Sequence, residues 1–225
     1  MAGTITRPPE PRAEAAAELT RFDAVERVVH WVNAVLFGVL LATAAALYVA
    51  PVSAAVGRRE VVKTIHVYAG LTLPFPLLLG VLGRWGRALR SDLKRLNRWI
   101  PDDRRWLAVR LRRRDFPFRA SQDVRLGKFN PGQKINAAFT GGAIVVMLAT
   151  GSIMRWYKPW PLSWRTGATF VHDWVATILV IAITGHIYLA VSDPAALGAM
   201  WRGRISRSWA RRHAPRWLEE AESTD

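Results

Sequence analysis

Four stretches of about twenty residues carry no lysine, arginine or glutamate, and they limit the fold more than any other feature. They are Val28–Ala50, Thr64–Gly83, Ile135–Met154 and Ala168–Ser192, and their only charged residue is Asp173. A helix rises about 1.5 Å per residue, so about 20 residues cross the roughly 30 Å hydrocarbon layer of a bilayer. A soluble helix would have a polar stripe, which GGAIVVMLATGSIM lacks. The sequence predicts an all-α integral membrane protein, an up-down bundle of four helices.

The net charge of +15 is distributed unevenly, in a pattern that favours a membrane orientation over nucleic-acid binding. The two terminal segments and the loop Arg84–Lys134 hold 26 lysines and arginines together. The two short connections, Pro51–Lys63 and Arg155–Gly167, hold 6. By the positive-inside rule, we expect both termini and the long loop in the cytoplasm of a bacterial cell. The protein is then a multi-pass protein of the inner membrane.

We expect three regions along the chain. Residues 1–20 predict a disordered tail that leads into a short amphipathic helix, without the apolar core of a signal peptide. Residues 21–209 form the membrane domain, and residues 210–225 form a cytoplasmic tail. Within the long loop, LKRLNRWIPDDRRWLAVRLRRR predicts a helix lying on the membrane surface, with a basic solvated loop as the alternative. Pro74 and Pro76 predict a kink in the second span.

The histidines are the candidate functional residues of this sequence. The chain has no cysteine, which excludes thiolate-bound iron–sulfur clusters and covalently attached c-type haem. Ionisable groups inside a membrane cost free energy and are rare, so histidines within spans are candidates for function. Of the five histidines, only His213 lies outside the predicted spans, and those inside them are His30, His66, His172 and His186.

The depths of these four histidines predict two pairs. His66 and His172 open the second and fourth spans from the outer side, whereas His30 opens the first span from the inner side. His186 follows His172 by fourteen residues, which is a rise of about 21 Å and nearly four turns, so both rings lie on one helix face. Two histidines on different helices at each level are the arrangement for two bis-histidine haems stacked across a bilayer.

Other interpretations of the histidines stay open at this point. They could relay protons, bind a transition metal, or be unrelated residues of the helix interior. A metal site would need further ligands at one level, and only Asp173 is near, at a position that directs it away from His172 on a helix.

Several segments of the chain resemble the cytochrome b (gamma) subunit of membrane-bound formate dehydrogenases. The similarity covers roughly Arg21 to Trp209. The segments that carry it are RFDAVERVVHWVNA, KTIHVYAG, SDLKRL, KFNPGQKINA and HDWVATILVIAITGHIYLA. The resemblance implies four spans and two b-type haems, with the axial pairs His66/His172 on the outer side and His30/His186 on the inner side. It implies an iron–sulfur (beta) and a catalytic (alpha) subunit as partners, so this chain would have no catalytic residues of its own for formate oxidation.

The resemblance also implies a menaquinone or ubiquinone site near the inner haem, formed by Asn130, Gly132, Gln133 and His186. Asn130 and Gln133 can hydrogen-bond a quinone carbonyl without bringing charge into the membrane. The same residues predict a helix N-terminus with a capping box, which is compatible with quinone contact. Lys128 or Lys134 at the inner surface could assist proton entry.

The resemblance thus predicts an electron-transfer and quinone-reducing subunit of anaerobic respiration. Two alternatives remain. One is a standalone or hydrogenase-type di-haem cytochrome b, such as a superoxide:quinone oxidoreductase, which shares the histidine spacing. The other is a haem-free membrane anchor or transporter whose histidines handle protons.

Overall fold

The computed structural model of the chain describes residues 17–113 and 124–223, and most of these residues are helical. The predicted all-α class is therefore confirmed, with two short strands as the exception. In chain order the elements are β1 (Glu18–Thr20), α1 (Ala24–Tyr48), α2 (Ala50–Val56), α3 (Arg59–Thr72), α4 (Phe75–Leu82), α5 (Arg87–Asn97), α6 (Pro101–Arg113), α7 (Pro131–Arg155), α8 (Leu162–Ser192), α9 (Pro194–Arg202), β2 (Arg204–Ser206), α10 (Arg207–His213) and α11 (Pro215–Glu222).

Four helical segments of the described chain are long and apolar enough to cross a membrane. They are Ala24–Tyr48, Arg59–Leu82, Pro131–Arg155 and Leu162–Ser192. Each begins several residues before the predicted apolar stretch, because polar residues of the first turn still belong to the helix. The predicted number and order of spans are confirmed.

The second span is interrupted where its prolines occur. Helix α3 ends at Thr72 and α4 begins at Phe75, with Pro74 between them. Pro74 lacks the backbone N–H that would continue the helical hydrogen bonds, and its ring crowds the preceding turn. The amide of Leu73 is shared between the carbonyl groups of Ala69 and Gly70. The predicted kink is confirmed as a break in this helix.

Side-chain contacts define the relative directions of the spans. The end of α1 meets the start of α3 through Thr43 and His66. The end of α7 meets the start of α8 through Thr150 and His172. Helix α1 also packs against α4, and α3 packs against α7. Consecutive spans therefore run antiparallel, as an up-down bundle requires.

The long inner loop contains two helices, α5 and α6, separated at residues 98–100. The predicted helical character of the loop is confirmed within these two helices, whereas its position on the membrane surface stays a prediction. Trp106 is only 7% exposed and packs in a cluster with Val124 and Leu126. Its ring also lies under the guanidinium of Arg110, at 4.6 Å from the ring centroid. Helices α5 and α6 both pack on α7, so the loop covers the start of that span, where Lys134 pairs with Asp103 of α6.

The two chain ends meet in a small layer that the sequence did not predict. Strand β1 pairs antiparallel with β2, with Leu19 opposite Ile205. Leu19 is buried there against Trp209 and Trp217 on α10 and α11. The expected amphipathic helix is therefore wrong at residues 18–20, because this distant pairing overrides local helix propensity. Residues 210–222 of the predicted cytoplasmic tail belong to α10 and α11, which pack in this layer, and the cytoplasmic location of the tail stays a prediction. Residues 1–16 lie outside the described chain.

Candidate haem site

The outer pair of histidines comes together between α3 and α8. The ring centroids of His66 and His172 are 6.4 Å apart, and the ring planes make an angle of 65°. Both histidines lie in the N-terminal half of their spans, Arg59–Leu82 and Leu162–Ser192, so the two rings meet at one level of the bundle. The pairing that depth predicts is therefore present in the structure.

The inner pair is formed by α1 and the same long helix α8. The ring centroids of His30 and His186 are 6.2 Å apart, with an angle of 58° between the planes. Trp31 packs edge-on against His30, at 5.2 Å between centroids, and stacks on Trp201 of α9 at 3.9 Å. Helix α8 contributes one ring to each pair, as the fourteen-residue spacing requires.

The spacing of both pairs suits two imidazoles that bind one metal ion from opposite sides. Metal–imidazole bonds are about 2.0–2.1 Å long, so two rings with an ion between them have centroids about 6 Å apart. In the described part of the chain, no group of three or more His, Cys, Asp or Glu side chains could hold a metal ion alone. The donor set therefore fits an iron whose remaining ligands come from a macrocycle, which is how haem b is held.

Two threonines contact the outer histidines. The Thr43 hydroxyl lies 2.8 Å from Nδ1 of His66, and the Thr150 hydroxyl lies 2.9 Å from Nδ1 of His172. Sequence reasoning missed both residues. No sequence signal separates them from Thr177 and Thr184 on α8, which also sit in a span and bond to the preceding helical turn.

Gly151 gives His172 room beside α7. A Cβ atom at this position would meet Cε1 of His172 at 3.4 Å, which is a normal van der Waals contact at its short limit. At Gly141 and Gly142 a Cβ atom would meet nothing within 4 Å. Close approach to a histidine ring therefore distinguishes Gly151 from the other glycines of the same helix.

Asn130 and Gln133 form the capping box that begins α7. The Asn130 side-chain oxygen accepts a hydrogen bond from the Gln133 amide, and the Gln133 side-chain oxygen accepts one from the Asn130 amide, both at 2.9 Å. A side-chain amide has an oxygen acceptor and an NH2 donor, and the cap uses only the oxygens. Both NH2 groups lack a partner among the described residues. Gly132 lies between them, and a Cβ there would meet the Asn130 oxygen at 3.2 Å.

The two lysines that flank this capping box are buried in ion pairs. Lys128 is paired with Asp92 of α5 and lies 3.8 Å from the Glu26 carboxylate of α1. Lys134 lies 2.6 Å from the Asp103 carboxylate of α6. Both ammonium groups therefore lie against buried acids: Lys134 joins α6 to α7, and Lys128, just before α7, joins α5 to α1. Their role in proton entry stays a prediction.

Arg21, just before α1, is a further buried cation, at 3% exposure. Its guanidinium lies over the Trp209 ring at 4.2 Å, and burial lowers the pKa of Arg21 to about 10. Its Nε and Nη1 atoms have no hydrogen-bond partner within residues 17–113 and 124–223. Both atoms of Arg21 can therefore donate hydrogen bonds to an anionic group.

The connection between α7 and α8 exposes Trp156 and Trp160, and the first turn of α8 exposes Trp164. Trp160 and Trp164 stack on each other at 5.4 Å. The Tyr48 hydroxyl at the end of α1 donates a hydrogen bond to Asp173 of α8, at 2.5 Å. The Asp173 carboxylate thus links α8 to α1. Within the described residues, it does not combine with His66 and His172 into a group of three ligands that could hold a metal ion.

Comparison with known proteins identifies the family of this chain. Residues 21–203 match the family model described as prokaryotic cytochrome b561. The chain belongs to the prokaryotic cytochrome b561 family. It is therefore a multi-pass bacterial membrane protein of a family that implies haem b as cofactor.

Three relatives of this cytochrome b561-family chain are formate dehydrogenase subunits. The cytochrome b556(Fdn) subunit of the nitrate-inducible enzyme of Escherichia coli K12 is 32% identical over 105 residues, 44% of this chain. That match spans about half of the relative, 48%. The cytochrome b556(fdo) subunit of the same strain is 25% identical over 92% of this chain and 94% of the relative. The formate dehydrogenase cytochrome b556 subunit of Haemophilus influenzae is 26% identical over 86% of this chain and 79% of the relative. The predicted resemblance to cytochrome b subunits of formate dehydrogenases is confirmed, and this chain is a membrane cytochrome b.

Proposed function

We propose that this protein is the membrane-anchoring di-haem cytochrome b of a formate dehydrogenase, passing electrons from an iron–sulfur subunit to quinone. The observation that carries the proposal is the pair of facing histidine sets, His66/His172 and His30/His186, whose centroids are 6.4 and 6.2 Å apart. Each pair bridges α8 and one other span, so the two sites lie at different depths along one helix.

When bound, haem b would supply a one-electron carrier at each level, and the two imidazoles of each histidine pair would hold it. The chain's own contribution is to fix these imidazoles on rigid helices and to surround them with apolar spans. Arg21, with two unpaired buried donors, is the candidate partner for a haem propionate on the inner side. The relatives named as cytochrome b556 subunits support the same cofactor.

We place the quinone at the start of α7, with Asn130, Gly132, Gln133 and His186 as its contacts. The capping box holds the backbone in place and leaves the amide NH2 groups of Asn130 and Gln133 as neutral donors for a quinone carbonyl. The absent Cβ at Gly132 lets a ligand approach the backbone, since a side chain there would crowd Asn130. Quinone reduction consumes protons, which we assign to the cytoplasm.

The orientation of the bundle follows from the distribution of basic residues. Both termini and the Arg84–Lys134 loop lie in the cytoplasm, so the His66/His172 pair faces the outer side. The iron–sulfur subunit docks there, against the connections Pro51–Lys63 and Arg155–Gly167. Trp156 and Trp164 in the second connection are exposed and have the composition typical of an interface core.

Single replacements of the histidines test the haem assignment. His66→Ala or His172→Ala should remove one haem, and His30→Ala or His186→Ala should remove the other, as counted from pyridine haemochrome spectra per mole of protein. His213→Ala is the matched control, because His213 bonds to the Trp209 carbonyl on α10, away from the spans, and should leave both haems. A single replacement in either pair that leaves two haems fully bound contradicts the pairing.

The partner assignment has its own test. Affinity purification of this chain from detergent-solubilised native membranes should bring down an iron–sulfur protein and a formate-oxidising subunit. Purification as a lone cytochrome with superoxide:quinone activity would favour the standalone alternative. Purification without any b-haem spectrum would favour a haem-free anchor or transporter.

A further inference from the structure

In the outer histidine pair, a threonine hydroxyl contacts Nδ1 of each ring, and His66 additionally contacts the Leu40 backbone. Thr43 of α1 reaches Nδ1 of His66, and Thr150 of α7 reaches Nδ1 of His172, at 2.8 and 2.9 Å. Each threonine comes from a span that does not carry the histidine it contacts. Four helices therefore meet at this level, two with the rings and two with the hydroxyls.

Each of the two threonine hydroxyls also has a carbonyl acceptor on its own helix. The Thr43 hydroxyl donates to the Val39 carbonyl at 2.7 Å, and the Thr150 hydroxyl donates to the Val146 carbonyl, also at 2.7 Å. A hydroxyl has one proton, so toward the imidazole each threonine oxygen is an acceptor. The hydrogen then sits on Nδ1 of the histidine, and Nε2 keeps a free lone pair. This is the tautomer that an iron-binding imidazole needs when it binds through Nε2.

The inner pair lacks these contacts. Within residues 17–113 and 124–223, no hydrogen bond reaches a ring nitrogen of His30 or His186. The neighbour of His30 is the indole ring of Trp31, which packs edge-on against it and presents no acceptor oxygen. The two levels thus differ in chemistry although their ring separations are nearly equal, 6.4 and 6.2 Å.

We propose that Thr43 and Thr150 are positioning residues for the outer haem, which fix the tautomer and orientation of His66 and His172 and lower that haem's reduction potential. The proposal rests on the two bis-histidine haems of the proposed function. An acceptor on Nδ1–H makes the imidazole a more basic ligand, which favours the more positively charged ferric iron. A lowered potential at the entry haem favours onward transfer of each electron to the inner level.

Valine variants test this proposal, since valine keeps the shape of threonine and removes the hydroxyl. The controls are Thr177→Val and Thr184→Val on α8, whose hydroxyls bond only to the carbonyl groups of Asp173 and Val180 in the described chain. The measurement is an anaerobic redox titration of the purified complex, followed in the b-haem α-band. Low-spin EPR signals of the same samples report the orientation of the axial rings.

In Thr43→Val and Thr150→Val, we expect one of the two haem transitions to move to higher potential while the other stays at the wild-type value. The double variant should move the same transition further, and its EPR signal alone should shift. Thr43→Ser and Thr150→Ser keep the hydroxyl and should retain the wild-type potential. If a valine variant loses the outer haem, retention by the serine variant supports the proposal and loss by both contradicts it.

The proposal is overturned if neither transition moves, if both transitions move together, or if the control variants produce the same shift. These outcomes differ from a failure of the proposed function. A wild-type protein that does not titrate as two haems contradicts the di-haem assignment itself, and the threonine proposal fails with it. A two-haem wild type with unshifted valine variants contradicts only the role of the threonines.

Discussion

Replacement of Lys134 tests whether buried ion pairs fasten the cytoplasmic loop to the membrane bundle. The side chains of Lys134 and Asp103 are 5% and 0% exposed, and their charged atoms lie 2.6 Å apart. Lys134 also donates a hydrogen bond to the Arg98 carbonyl at 2.8 Å. Lys134→Met keeps much of the volume and removes the charge, which leaves the Asp103 carboxylate buried with one backbone donor, the amide of Ile100.

The expected cost follows from that unpaired charge. Removal of one partner from a buried pair typically costs about 3–5 kcal/mol, because the other charge stays in a low-dielectric site. The matched control is Lys63→Met, which removes the exposed pair with Glu60 at 3.8 Å and should cost at most about 1 kcal/mol. The free energies of unfolding are measured by reversible SDS titration in detergent micelles, followed by tryptophan fluorescence.

A double variant separates the charge effect from lost packing. Asp103→Asn keeps an oxygen for the Ile100 amide and removes the carboxylate charge. We expect Lys134→Met combined with Asp103→Asn to be more stable than Lys134→Met alone, since no unpaired charge remains. The reasoning is refuted if Lys134→Met costs no more than Lys63→Met, or if the double variant loses the sum of both single losses.

Three further predictions concern the site and the second span. Asn130→Asp keeps the cap oxygen and removes the amide donor, so stability should stay near wild type while the KM for quinone rises; Asn130→Ala should also lose about 1 kcal/mol of cap stability. An unchanged KM in Asn130→Asp contradicts quinone contact. Gly151→Ala, whose Cβ meets His172 at 3.4 Å, should change the EPR signal of one haem, and Gly141→Ala, with nothing within 4 Å, should change neither. Equal spectra of both variants contradict the contact. Pro74→Ala restores a backbone donor and should slow amide hydrogen exchange at the α3–α4 junction, and unchanged exchange there contradicts the proline as cause of the break.

The sequence was sufficient for features that depend on local composition or on helical period. Apolar length predicted the four spans, and Pro74 predicted the break in the second one. The depths of His30 and His66 within their spans, combined with the fourteen-residue spacing on α8, predicted which rings meet. These inferences need only the helix rise and the alternation of span direction. The role of these rings as haem ligands stays a prediction.

Features that depend on distant elements could not be predicted from the sequence. Leu19 joins a strand because Ile205 lies opposite it, and no local pattern near residue 19 indicates that partner. In the sequence, nothing distinguishes Lys128 and Lys134 from the many basic residues of the same loop. In the structure, each forms an ion pair with an acid on another element, Asp92 or Asp103. Thr43 contacts His66, twenty-three positions away on a different helix, and no local pattern near residue 43 indicates that contact.

The most direct test of the central claim is an anaerobic difference spectrum of the b-haem α-band on native membranes, with a deletion strain as control. Dithionite gives the total haem, and formate is then added alone. We expect the deletion to remove b-haem absorbance equivalent to two haems per chain, and formate to reduce that same absorbance in the wild type. If dithionite reduces the band and formate does not, the formate dehydrogenase assignment is contradicted. If the deletion removes no b-haem signal, the four histidines do not bind haem and the account is wrong.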